Sequence, residues 1–105
     1  MAVLDAAVDA CDLDADRLIC MGGSFGGYMT NWLGGQTDRF AALVTHASLW
    51  DLRAFNVTTD HPGFWRWQQG LDPWKDVEAV DRYNPAAYLD NWSTPTLILH
   101  GEKDY

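Results

Sequence analysis

Thirteen residues constrain this chain more than all the others: Leu18-Ile-Cys-Met-Gly-Gly-Ser-Phe-Gly-Gly-Tyr-Met-Thr30. An apolar run stops at a glycine, presents one serine, and restarts behind two more glycines. Gly22-Gly23-Ser24-Phe25-Gly26 fits Gly-x-Ser-x-Gly, the pattern of a sharp strand-to-helix corner that exposes a nucleophilic serine. The turn is tight, so a Cβ at either flanking glycine is expected to clash. The corner lifts the hydroxyl above the sheet edge. The helix behind it aims its first amides at any anion forming there.

The flanking pattern agrees with such a corner. Met1, Leu4, Val8 and Cys11 recur at helical spacing and predict an amphipathic helix over residues 2–11. Leu18-Ile19-Cys20-Met21 is a short apolar strand of the kind covered on both faces in a parallel sheet. A helix over 25–34 follows, with Tyr28, Met29, Trp32 and Leu33 on its expected buried side, and Gly34-Gly35 stops it. Ala41–Thr45 and Thr96–His100 read as two further buried strands. Between them lies an insert over 48–92 that holds Trp50, Trp65, Trp67 and Trp74, with Trp92 at its edge. In that insert Asn84-Pro85 begins a short helix.

Strand–helix–strand alternation implies parallel pairing and the α/β class, a parallel sheet with flanking helices. Three parallel strands leave edges that want covering. Residues 1–105 therefore read as a fragment of one α/β catalytic domain, running from nucleophile to acid loop, with no second domain and low stability when alone.

Composition removes several function classes. The net charge is −8 with only seven scattered basic residues, which argues against nucleic acid. No apolar run approaches the ~20 residues of a membrane helix, and no basic-then-apolar leader opens the chain. We expect no membrane partner and a cytoplasmic location. Cys11 and Cys20 lack metal or redox spacing and read as reduced, buried thiols. His46, His61 and His100 lack metal-ligand spacing, so no metal and no cofactor are expected. The dinucleotide fingerprint fails because Ser24 stands where its second glycine belongs, and no phosphate-loop lysine is present.

Ser24 needs a partner to take its proton. On a sheet with this corner the partners follow in the order serine, acid, histidine. Asp104 lies on the loop after the last strand, in the acid's place. The base should come later still, where only Tyr105 remains. His46 and His61 precede the acid. His100 leads into the acid loop and is expected to fix it by hydrogen bonding. The backbone N–H of Phe25, next after the nucleophile, supplies one oxyanion donor, and an earlier loop should supply the second.

At this point the residues resemble a known family. Asp16-Arg17-Leu18, Gly22 through Trp32, Thr37-Asp38-Arg39-Phe40-Ala41-Ala42, Pro73-Trp74, Asn84-Pro85 and Thr94 through Tyr105 look like the prolyl oligopeptidase family, most of all its acylaminoacyl-peptidase and dipeptidyl-peptidase branch. The match spans nearly the whole chain. Such members are serine peptidases with a C-terminal α/β-hydrolase domain and an N-terminal β-propeller that admits short peptides. The resemblance implies a partial α/β-hydrolase fold, Ser24 as nucleophile, Asp104 as triad acid, and short peptides as substrate. It also implies that the segment Ala47–Phe55 helps line the pocket for the side chain before the scissile bond, with Trp50 and Phe55 as walls and the Phe25 ring contributing. The family's catalytic histidine, its upstream oxyanion tyrosine and its propeller have no counterpart in these residues. Two other readings stand beside it: an esterase of the same fold, which the corner alone permits, and a catalytically inert remnant.

Overall fold

The computed structural model describes residues 1–105. Helix α1 spans Ala2–Cys11, strand β1 Ile19–Gly23, helix α2 Phe25–Gly34 and strand β2 Ala42–His46. The insert folds into three short helices: α3 (Leu52–Thr58), α4 (Pro62–Gln69) and α5 (Val77–Asp81). A 3-10 segment, Pro85–Asn91, follows them and leads to strand β3 (Thr96–Leu99). The strands form one parallel sheet in the order β1-β2-β3. Cys20 faces Leu43 and Gly22 faces Thr45; Leu43 in turn faces Thr96.

Helix α2 covers one face of this sheet. Leu43 and Thr45, on that face of β2, are 1% exposed, and the Cys20 thiol lies 3.6 Å from the Thr30 hydroxyl of α2. The other face is open. Burial alternates along β1, and Ile19 and Met21 are 61% and 73% exposed. Within these 105 residues β1 is therefore covered on one face only. An apolar run shows that both faces tolerate burial, but the covering must come from elements that pack there, and only one face has them.

Helix α2 also differs from its expected orientation. Gly27, Thr30, Asn31 and Gly34 are its buried residues, while Tyr28, Trp32 and Leu33 are half-buried and Met29 is exposed. The reason is close approach. A Cβ at Gly34 would lie 2.7 Å from the Trp92 ring and 2.8 Å from Leu43, so the helix presses its small side onto the sheet. Its aromatic side meets the insert instead, with Trp32 edge-on to Tyr88 at 5.1 Å.

The apolar core proper, Leu49, Leu52 and Val80, lies under the insert with Tyr28, Phe55 and Leu71 packed against it. Its burial ties α3 and α5 to α2. Helix α1 has no fully buried residue and is held by an ion pair between Asp5 and Arg39. The cysteines depart from expectation as well: Cys11 is exposed at the end of α1, where nothing packs over it, and Cys20 is half-buried.

Candidate active site

Strand β1 ends at Gly23 and α2 begins at Phe25, so one residue turns the corner. Ser24 does so at φ 56°, ψ −122°, a region that a residue with a Cβ enters only when its surroundings force it. The surroundings are visible. The Ser24 N–H donates to the His46 carbonyl at the end of β2 (2.9 Å), and the Ser24 carbonyl accepts from the Tyr28 N–H (3.0 Å). A Cβ at Gly22 would lie 2.2 Å from the Gly26 carbonyl oxygen. One at Gly27 would lie 2.5 Å from the Ser48 Cβ. Gly26 behaves differently from the expected pattern: a Cβ there meets nothing within 4 Å. The tight contacts belong to Gly22 and Gly27, because these two point at backbone and at the β2 loop.

Serine at the start of a helix usually caps it by accepting from an amide of the first turn. The Ser24 side chain makes no such bond and is exposed. Its hydroxyl is thereby left unengaged by α2, whose first-turn amides have no intrahelical partner either. The Phe25 N–H is the first of these.

Asp104 lies beyond β3. Its N–H donates to the Gly101 carbonyl (3.1 Å), and its carbonyl lies 2.9 Å from His100 Nε2. The same His100 nitrogen is 3.8 Å from the Asp104 carboxylate. His100 thus holds the loop that carries Asp104, as the sequence suggested. Ser24 and Asp104 both follow the C-terminal ends of parallel strands, β1 and β3, with β2 between.

Trp50 and Phe55 share a recess of about 360 Å³ with Ala47, Leu49, His100 and Asp104. Trp50 is 37% exposed and packs edge-on to Trp92 at 5.3 Å. Phe55 is half-buried and meets Trp65 edge-on at 5.2 Å. The Phe25 ring does not join this recess. It stacks on Tyr28 at 5.1 Å and faces a separate cavity of about 310 Å³ with Leu52, Trp65, Leu71 and Tyr83. The Tyr28 hydroxyl donates to the Tyr83 carbonyl (2.8 Å). Burial, and secondarily the charge of Tyr83, pushes its pKa above the ordinary 10.0. Sequence reasoning did not find Tyr28, Trp65 and Tyr83 as one cavity wall. They lie far apart in the chain, and only the insert's folding brings them together.

No group of three or more His, Cys, Asp or Glu side chains converges in a metal-binding arrangement. No helix is long and apolar enough to cross a membrane.

The model of the prolyl oligopeptidase family matches residues 1–105, the whole chain. The chain belongs to that family. An uncharacterized peptidase of Bacillus subtilis, YuxL, is 44% identical over 93 residues, covering 88% of this chain and 14% of the relative. Dipeptidyl-peptidase 5 of Porphyromonas gingivalis is 39% identical over 98 residues, covering 89% and 14%. Among solved structures, a puromycin-hydrolyzing peptidase of Mycobacterium tuberculosis superimposes with a TM-score of 0.83 at 30% identity, covering 95% of this chain and 15% of that one. An acylaminoacyl peptidase of Pyrococcus horikoshii gives 0.83 at 25% identity, covering 93% and 16%. The chain therefore spans about a seventh of the length of these relatives. Its three parallel strands and flanking helices are part of an α/β-hydrolase fold.

Proposed function

We propose that these residues carry the nucleophile and the triad acid of a serine peptidase that cleaves short peptides through an acyl-enzyme. The observation that carries the reading is Ser24 itself: a residue with a Cβ, held at positive φ in a corner that Gly22 and Gly27 pack closely, whose hydroxyl makes no cap to the helix it begins. Ser24 Oγ attacks the peptide carbonyl while a histidine takes its proton. The oxyanion that forms accepts from the Phe25 N–H and from a second donor. The histidine returns the proton to the leaving amine, and water then cleaves the acyl ester by the same route in reverse. Asp104 orients the histidine and stabilises its cationic form. None of His46, His61 and His100 is assigned that role, so the base and the second oxyanion donor come from outside the 105 residues. The isolated chain is accordingly inactive. An acylaminoacyl peptidase among the neighbours is held in complex with a peptidyl chloromethyl ketone, Z-Gly-Gly-Phe, which supports peptides as the substrate class.

The recess of Trp50 and Phe55, beside Asp104, receives the side chain before the scissile bond. The test is made on the full-length protein. A fluorophosphonate should label Ser24, and Ser24→Ala should abolish both labelling and hydrolysis of an aminoacyl-arylamide. Retained turnover by Ser24→Ala would refute the assignment. A protein that cleaves aryl esters but no arylamide would be an esterase instead.

A further inference from the structure

The segment between β2 and α3 carries Trp50, yet its backbone leaves β2 through Ala47 at φ 45°, a conformation that alanine keeps only under constraint. The Ala47 N–H donates to the Leu99 carbonyl at the end of β3 (2.9 Å), and the residues after it are held by two buried side-chain amides that the proposed mechanism does not use. Asn31, 3% exposed on α2, donates through Nδ2 to the Ser48 Oγ (3.1 Å) and to the Leu49 carbonyl (2.9 Å). Asn84, fully buried at the far end of the insert, accepts through Oδ1 from the Leu52 N–H (3.0 Å). It donates through Nδ2 to the Asp51 carboxylate (3.1 Å). Asp51 in turn caps α3 by accepting from the Arg53 N–H (2.9 Å). Ser48 also packs on Gly27, where a Cβ would stand 2.5 Å from its own.

We propose that Asn31 and Asn84 are positioning residues that hold Ala47–Leu52, and with it Trp50, in register with Ser24. The inference rests on the peptidase reading above. Asn31 acts from the helix that starts at the nucleophile, and Asn84 acts from the element that leads into β3 and the acid loop. The Trp50-bearing segment is thus gripped from both sides by groups that report the positions of the other two site residues. An amide suits this task because it carries donor and acceptor together and no charge. A buried amide that loses its partners also costs more than one exposed to water, so the grip has a single low-energy register.

The experiment uses the full-length protein and two arylamides that differ only in the residue before the scissile bond, phenylalanine or alanine. Asn31→Leu removes both donors at similar volume. It should raise KM for the phenylalanine substrate about tenfold, the scale of one lost buried hydrogen bond. The alanine substrate and the rate of fluorophosphonate labelling should change by less than about twofold. Ser48→Ala removes one acceptor and leaves the Leu49 bond, so it should fold and shift KM in the same selective direction. Equal losses on both substrates and on labelling, in either variant, would make the amides merely structural and overturn the proposal. Unchanged KM values in Ser48→Ala would overturn it too. A wild-type protein that is never labelled at Ser24 would remove the peptidase reading and the clamp together.

Discussion

The corner makes a sharp prediction about its glycines. At Gly22 an added Cβ would lie 2.2 Å from the Gly26 carbonyl oxygen, 2.4 Å from its carbon and 2.9 Å from the Gly27 nitrogen. All three are backbone atoms, so no side chain can rotate away. Contacts of a real Cβ essentially stop at 3.0 Å, and α2 must back off by about 0.8 Å to admit the 2.2 Å neighbour. Overpacking of this kind costs about 1–3 kcal/mol, and the upper half applies because backbone must move. The atoms that move belong to the first turn of α2, which carries the Phe25 amide and fixes the Ser24 carbonyl. Displacing a catalytic group by about 1 Å costs about a hundredfold in rate. Gly22→Ala in the full-length protein should therefore lose about 2–3 kcal/mol in urea unfolding, and about a hundredfold in fluorophosphonate labelling. Gly26→Ala is the control. Its Cβ meets nothing, it sits in a helix, and alanine there is favoured over glycine by about 0.5–1 kcal/mol. It should label near the wild-type rate and be no less stable. Wild-type labelling by Gly22→Ala, or equal damage from both variants, would show that close packing at Gly22 does not set the corner.

Further expectations concern the other groups of the site. Asp104→Asn should lower arylamide turnover by about ten-thousandfold, as when a triad acid loses the charge that fixes its histidine, while leaving substrate KM within about threefold; a mild effect would move the acid elsewhere. The raised pKa of the Tyr28 hydroxyl means that its contribution to stability is full below pH 10 and is lost as pH rises through the raised value. Tyr28→Phe should flatten the alkaline limb of the stability–pH curve above about pH 10, and an unchanged limb would count against burial as the cause.

The order of elements, the parallel sheet and the identity of the corner were legible in the chain because each rests on local chemistry. Gly-Gly-Ser-Phe-Gly-Gly admits few backbone paths, and β-branched or apolar runs bounded by glycine and proline mark strands. The insert was not legible beyond Asn84-Pro85. Its helices α3, α4 and α5 are seven, eight and five residues long, too short to hold by propensity; α3 and α5 exist through packing at Leu52 and Val80, and α4 rests on α3 through Trp65 against Phe55. The expectation that Phe25 joins Trp50 and Phe55 in one wall overlooked how the helix start rotates the ring toward Tyr28.

What the amino acids determine unaided is a tight strand-to-helix corner: glycines remove the side chains that would block the turn, and the serine among them carries its strained backbone. What tertiary structure decides is everything that depends on a distant partner. Which side of α2 is buried follows from Gly34 meeting Leu43 and Trp92. Which side chains grip the loop after β2 follows from Asn31 on α2 and Asn84 in the insert closing on it from two sides. A local pattern prices a turn from its own atoms, whereas a buried amide has no meaning until the group it must satisfy has been brought to it.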